Sequence, residues 1–229
     1  MMKRHGGKIA IVAILAVFAA AFYYADNASE RANEGVVIEA NVKGNPEAAV
    51  VLVEYSDFQC PACAVAAPVV DEIMEAYGSE IRFEYRHFPL VTINPLAIPA
   101  ARAVEAAGQQ GEFWAMHDLV FANQQTWSAA PNPSALFAGY AEEIGLDMAL
   151  YRRHVDASLI ENHIRAQFNE AREAGFTGTP TFTLNGERME FSSYEEFAAQ
   201  IEAAIGVPAE DAASTSTEAA AETDLEFAL

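Results

Sequence analysis

The chain has 229 residues, 52% of them apolar, which suits one well-buried domain with additional segments and leaves no room for two full-sized domains. Its 13 basic and 33 acidic residues give a net charge of −20, which argues against nucleic acid and anionic membrane surfaces as binding targets. The two cysteines belong to a single motif, so the chain has no framework of structural disulfides.

The N-terminal segment is predicted to anchor the chain in the cell membrane. A basic segment at 1–8 precedes 17 uncharged residues at 9–25, a length at the short end of the range for a spanning helix. The basic segment is expected to stay in the cytoplasm, which places the rest of the chain on the periplasmic or extracellular side. The aromatic residues at 22–24 favour a signal-anchor. A cleaved secretory signal is the alternative, because alanines at 19–21 offer a cleavage site.

The next segments lead to a strand and a helix. Residues 26–35 are polar and predict a short tether, and residues 36–40 predict a first strand. The Val-rich and Leu-rich run at 50–56 predicts a buried strand, and apolar residues at four-residue spacing predict an amphipathic helix at about 61–77.

The motif Cys60-Pro61-Ala62-Cys63 stands where that strand gives way to the helix. Proline suits the first helical turn, and the partial positive charge of a helix N-terminus lowers the pKa of a thiol placed there. The motif therefore predicts a nucleophilic thiolate at Cys60, with Cys63 one turn deeper to resolve a mixed disulfide.

Two alternatives for the cysteine pair are less favoured by the sequence. A zinc site needs four ligands, and the chain has no second cysteine pair or closely spaced histidine pair. An inert structural disulfide spanning two residues would constrain the unfolded chain little.

The remaining elements predict an α/β domain at 36–207 that is interrupted by helices. Alternation at 81–87 predicts a strand parallel to 50–56, and a helical insertion is expected at about 95–175. The sheet then resumes with strands at 181–184 and 188–191, followed by a helix capped by Ser192 and Glu195. The acidic tail at 208–229 has no basic residue and is expected to be disordered.

Three stretches in this order resemble the DsbA-like thioredoxin-fold thiol–disulfide oxidoreductases: residues 50–63, 111–121 and 178–186. The resemblance covers about residues 36–206. It implies a thioredoxin fold with a helical insertion and an enzyme that needs no cofactor beyond a redox-active Cys60–Cys63 disulfide.

The resemblance also implies a role for Glu54, which lies in the apolar strand six residues before Cys60. A buried acid at this position in the family exchanges protons with the inner cysteine, and burial should raise its pKa. The alternative is a glutamate on an edge strand that faces water. Lys43, Arg82 and Arg86 are all possible basic partners.

The segment Thr179-Pro180 resembles the family's cis-proline loop, which faces the cysteine motif and pairs its backbone with substrate. Pro180 is therefore expected to be a catalytic-site residue, and Thr179, Pro61 and Ala62 are expected to contact substrate. Ala62 departs from strongly oxidising DsbA proteins, which carry a histidine there, and this predicts a milder oxidant.

Other polar and aromatic residues have a weaker claim on function. The scattered histidines are expected to be surface or capping residues: His87, His117, His154 and His163. Trp127 is a candidate for lining the groove near the thiols.

The function predicted from these features is an exported, monomeric oxidoreductase that introduces disulfides into reduced or unfolded secreted proteins. The family resemblance implies regeneration by a membrane redox partner linked to quinone. Two alternatives remain. One is a reductase or isomerase of the same fold, although residues 26–48 are too short for the dimerisation domain usual in bacterial isomerases. The other is a non-catalytic module that binds a metal through the two thiolates.

Overall fold

A mixed β-sheet forms the centre of the molecule in the computed structural model, which describes residues 6–206 apart from the side chains of residues 6–10, 12 and 24–26. Within this part of the chain the strand order is β1-β3-β2-β4-β5. The strands are β1 (Asn41–Gly44), β2 (Val50–Ser56), β3 (Ile81–His87), β4 (Thr181–Leu184) and β5 (Glu187–Arg188).

Helices pack on this sheet and also form a separate group between β3 and β4. Two flank the sheet in sequence, α2 (Pro61–Tyr77) and the last helix, α9 (Tyr194–Ile205). The inserted group consists of α3 (Ala97–Gly108), α4 (Phe113–Ala122), α5 (Gln124–Ser128), α6 (Pro133–Glu143), α7 (Met148–Val155) and α8 (Ser158–Glu173). The first helix, α1 (Gly6–Asn33), precedes the sheet. The structure thus has the predicted α/β thioredoxin fold with a helical insertion.

The central strand β2 sets the position of the site. It pairs in parallel with β3 and antiparallel with β4, so Glu54 lies beside Tyr85 on one neighbour and Phe182 on the other. Leu52 is fully buried in an apolar cluster with Phe83, under α2 and α9. A strand enclosed on both faces explains why its sequence reads as an almost continuous apolar run.

The helical insertion has its own buried core, which continues to the end of the sheet where the cysteine motif lies. Trp127, Met116 and Ile160 are fully buried there, and the same cluster includes Phe58 and Cys63. The insertion therefore supports the cysteine motif directly.

Several predicted boundaries differ from the structure. The first strand lies at Asn41–Gly44, not at 36–40, and antiparallel pairing with β3 fixes it there. The second hairpin strand is Glu187–Arg188, shorter than the predicted 188–191. The last helix is capped by Ser193, whose hydroxyl accepts from the Glu196 backbone N–H, one position later than predicted.

The segment predicted as a tether is largely helical and docks on the insertion. Helix α1 continues to Asn33, whose side-chain oxygen accepts from the backbone N–H of Leu159 at 3.0 Å. Ala32 is buried, and the carbonyl of Glu34 lies 3.2 Å from the Nε2 atom of His154. These contacts give the segment tertiary partners that a polar composition does not reveal.

Helix α1 also contains the predicted anchor at 9–25. Among the residues whose side chains the structure describes, no helix is long and apolar enough to cross a membrane; residues 9, 10, 12, 24 and 25 of the predicted anchor lie outside that description. The basic segment at 1–8 lies mostly, and the acidic tail at 208–229 entirely, outside the described residues, so both remain predictions.

Candidate active site

The cysteine pair lies at the N-terminus of α2, as the sequence predicts. Cys60 is the N-cap residue and Pro61 the first residue of the helix. Both cysteines are free thiols; Cys60 is half-buried, whereas Cys63 has no exposed surface. The outer sulfur is therefore accessible to another molecule and the inner sulfur is not.

The two thiols differ in acidity. The pKa of Cys60 is lowered to about 6, mainly by a hydrogen bond from the Cys63 thiol, against an opposing effect of burial. Backbone N–H groups of Ala62 and Cys63 also lower it, as expected at a helix N-terminus. Burial raises the pKa of Cys63 well above its ordinary value, and the neighbouring Cys60 and Glu54 raise it further. The site thus pairs a nucleophilic thiolate with a protonated thiol.

The Thr179-Pro180 segment faces the cysteine motif. The peptide bond between these residues is cis, as predicted, and the Cys60 thiol donates to the carbonyl oxygen of Thr179 at 3.3 Å. Thr179, Pro180 and Ala62 are half-buried, and Pro61 is exposed. Pro61 and Ala62 thus belong to the first turn of α2, and Thr179 and Pro180 belong to the segment that faces Cys60. The role of these four residues in binding substrate remains a prediction.

Glu54 is buried on β2, with 2% of its surface exposed, so it does not face water on an edge strand. Burial is the main cause that raises its pKa from 4.5 to about 7. The Ser56 hydroxyl partly offsets this, although no hydrogen bond of good geometry joins the two side chains. The charge of Cys60 raises the pKa further.

None of the three expected basic partners pairs with Glu54. Lys43 pairs with Asp71 at 2.6 Å, while Arg82 and Arg86 both pair with Glu84, at 2.9 and 2.6 Å. Arg82 and Arg86 cannot replace Tyr85 as the neighbour of Glu54, because side chains of successive strand residues point to opposite faces.

Two residues that the sequence analysis missed hold the turn before α2, here called the catalytic turn (residues 57–60). Gln124 is buried on α5, and its amide nitrogen donates to the carbonyls of Phe58 and Cys60, both at 2.8 Å. Asp57 accepts from the backbone N–H groups of Gln59 and Leu90 at 2.8 and 2.9 Å. Gln124 and the Asp57–Leu90 contact carry no sequence signal, because both join segments that are distant in sequence.

The expectation for the histidines and Trp127 is wrong in most cases. His87 and His117 are buried where the insertion packs on the sheet, and His154 is buried beside the carbonyl of Glu34 at the end of α1. Trp127 is also fully buried and donates to the Val120 carbonyl at 2.6 Å, so it belongs to the core of the insertion and does not line a groove.

These features place an accessible, acidic thiol and an enclosed thiol opposite a cis-proline segment on a mixed α/β scaffold. The family model described as thioredoxin matches residues 37–203, so the chain belongs to the thioredoxin family. Several solved structures share the fold of this chain.

Three solved structures illustrate this similarity. A thioredoxin-like oxidoreductase from Silicibacter pomeroyi DSS-3 is 27% identical, with a TM-score of 0.58 over 78% of this chain and 92% of that one. BdbD from Bacillus subtilis is 19% identical, with a TM-score of 0.64 over 76% and 94% of the two chains. The α-DsbA1 of Wolbachia pipientis is 19% identical, with a TM-score of 0.64 over 78% and 95%.

The curated relatives carry a different name. A 148-residue match to Na(+)/H(+) antiporter NhaA 1 of Salinispora arenicola is 42% identical and covers 65% of this chain but 22% of the antiporter. NhaA 1 of Mycobacterium sp. (strain KMS) is 36% identical over 152 residues, 24% of its length. The chain thus spans about a quarter or less of these relatives.

Proposed function

We propose that this protein is an exported protein disulfide oxidoreductase that introduces disulfides into reduced secreted or periplasmic polypeptides. The observation that carries the proposal is the unequal thiol pair. Cys60 is accessible and acidic, with a pKa of about 6, whereas Cys63 is enclosed and held as a thiol.

The reaction that this pair supports is a two-step exchange that starts from the Cys60–Cys63 disulfide. A substrate thiolate attacks the sulfur of Cys60; the bond to Cys63 breaks, and Cys63 leaves as a thiolate that takes up a proton. The second substrate thiolate then attacks the substrate sulfur of the mixed disulfide and releases Cys60 as a thiolate. The substrate loses two electrons and the protein gains them.

The acidity of Cys60 favours the oxidising direction, because a stabilised thiolate stabilises the reduced protein. At pH 7, a thiol with a pKa of about 6 stabilises the reduced form by about 1.4 kcal/mol relative to an unperturbed thiol, or about 30 mV for two electrons. This gain is moderate, which agrees with alanine at position 62 and a mild oxidant.

A membrane location is the second part of the proposal. Large apolar side chains of α1 are exposed, including Leu15, Phe18 and Phe22, and they would be covered if residues 9–25 crossed the bilayer. The curated relatives support the same location, since the stretch that matches this chain belongs to proteins named as Na(+)/H(+) antiporters. A membrane redox partner would reoxidise the cysteine pair after each cycle.

The proposal is tested by mixing the oxidised protein with a reduced, unfolded protein that contains two cysteines. We expect stoichiometric oxidation of that protein and reduction of the Cys60–Cys63 bond. Cys63→Ser, mixed instead with the oxidised form of the same substrate, should accumulate a mixed disulfide, because the Cys60 thiolate attacks the substrate disulfide and no inner thiol is present to release it. Membrane fractionation with protease protection tests the location. Failure of the oxidised protein to oxidise such substrates, with ready reduction of their disulfides by the reduced protein, would favour the reductase alternative.

A further inference from the structure

Four buried polar atoms beneath the cysteine pair have no hydrogen-bond partner within the described part of the chain. They are Glu54 Oε1, Ser56 Oγ, Tyr85 Oη and His117 Nε2. Buried polar atoms usually have a partner, so several such atoms close together indicate a site with a function in proton transfer or hydration. The exposed fractions of these residues are 5% or less.

Strand register brings the first three of these atoms to one face of the sheet. Glu54 and Tyr85 are paired positions on the parallel strands β2 and β3, and Ser56 lies two residues beyond Glu54 on β2. Side chains at paired positions, and at every second position, share a face of the sheet. Cys63 lies over this face, where the charges of Glu54 and of Cys63 both act on the Tyr85 phenol.

The fourth atom continues the cluster towards α4. The rings of Tyr85 and His117 lie 5.1 Å apart and nearly perpendicular, at 87°. Phe58 stacks on Tyr85 at 5.2 Å and contacts His117 edge-on at 5.6 Å, which shields both rings from solvent. A buried water, which typically makes about three hydrogen bonds, would find enough polar partners among these atoms to bridge them.

His117 connects the buried cluster with the surface. Its Nδ1 atom lies 2.8 Å from Oδ1 of Asp118, whose side chain is 52% exposed. A neutral imidazole that donates from Nδ1 presents Nε2 as an acceptor, so the same ring can take a proton on its inner side and pass one outward.

Thiol exchange requires such a connection. Cys63 gains or loses one proton in each half-reaction, yet neither Cys63 nor Glu54 has meaningful contact with solvent. We propose that Tyr85 and His117 form a proton path that links Glu54 and Cys63 with solvent at Asp118. This path rests on the proposed exchange reaction. Tyr85 and His117 are positioning residues in it, because they guide the proton that Cys63 gains or loses.

Several charged or titratable groups face this path and enter any pH profile. Cys60 and Asp71 act on Glu54, and Asp71, Lys43 and Asp118 act on His117. Tyr85 also faces the Asp57 carboxyl and packs its ring against His87 at 5.3 Å.

The test follows the attack of Cys63 on a preformed mixed disulfide between Cys60 and glutathione, measured from pH 5 to pH 9 in H2O and D2O. Tyr85→Phe removes the inner hydroxyl, and Asp118→Asn removes the exposed exit without disturbing the core. We expect both variants to slow glutathione release about tenfold or more and to increase the solvent isotope effect, because proton transfer becomes limiting. Tyr55→Phe is the matched control, since its hydroxyl contacts Arg86 on the other face of the sheet.

The possible outcomes separate the inference from the proposed function. If the wild-type protein fails to form or resolve the mixed disulfide, the exchange function itself is wrong. If the wild type resolves it and both variants match Tyr55→Phe in rate and isotope effect, the proton path is overturned. An effect of Tyr85→Phe without one of Asp118→Asn would also overturn the path, because the exit through His117 would be unused.

Discussion

Replacing Glu54 with Gln should change the free energy of unfolding of the reduced protein more favourably at neutral pH than in acid. The folded state raises the pKa of Glu54 from 4.5 to about 7, so the native protein binds more protons than the unfolded chain between these values. The contribution of Glu54 to the free energy of unfolding therefore falls as the pH rises from 4.5 to about 7. The full difference of about 2.5 pKa units corresponds to about 3 kcal/mol of destabilisation above pH 7.

The measurement is urea unfolding of wild type and Glu54→Gln at pH 4 and pH 8 under reducing conditions. We expect the stability gain of the variant to be about 3 kcal/mol larger at pH 8 than at pH 4, whatever constant cost the buried amide adds. Glu84→Gln is the control, because Glu84 is buried but paired with Arg82 and Arg86, and this variant should lose about 1–3 kcal/mol at pH 8. A gain for Glu54→Gln that is equal at both pH values would refute the argument.

The remaining predictions concern the thiols and two supporting side chains. The rate of alkylation of Cys60, plotted against pH, should have its midpoint near pH 6, and Cys63 should stay unreacted at pH 8. A single midpoint above pH 8 would contradict the unequal acidity of the two thiols. Gln124→Leu should lower the free energy of unfolding in urea by about 2 kcal/mol, because two carbonyls of the catalytic turn lose their donor. An unchanged unfolding curve would show that the amide is dispensable. Asn33→Ala should cost about 1 kcal/mol by uncapping α8. Asn27→Ala should cost less, because the Asn27 amide donates to the Tyr23 carbonyl within α1.

The sequence allowed the scaffold and the cysteine pair to be predicted because their signals are local. An apolar run followed by Cys-Pro-Ala-Cys and a four-residue apolar period predicts a strand, a turn and a helix without knowledge of the rest of the chain. Glu54 was recognisable for the same reason, as one acid inside an apolar strand. The structure agrees on all three points, with Glu54 buried and Cys60 at the N-cap of α2.

The features that could not be predicted depend on contacts between distant segments. The neighbour of Glu54 is set by the register of β3, which places the uncharged Tyr85 beside it and none of the expected basic residues. Burial of His87 and His117 depends on how the insertion folds back over the sheet. Gln124 reaches the catalytic turn across 64 residues of chain, so nothing in its local sequence distinguishes it from an exposed glutamine.

The most direct test of the account is the equilibrium of the Cys60–Cys63 disulfide with reduced and oxidised glutathione at pH 7. A thiolate with a pKa of about 6 predicts a reduction potential above that of thioredoxin, about −270 mV, and below that of DsbA, about −120 mV. A value at or below about −270 mV would contradict the assignment of this protein as an oxidant.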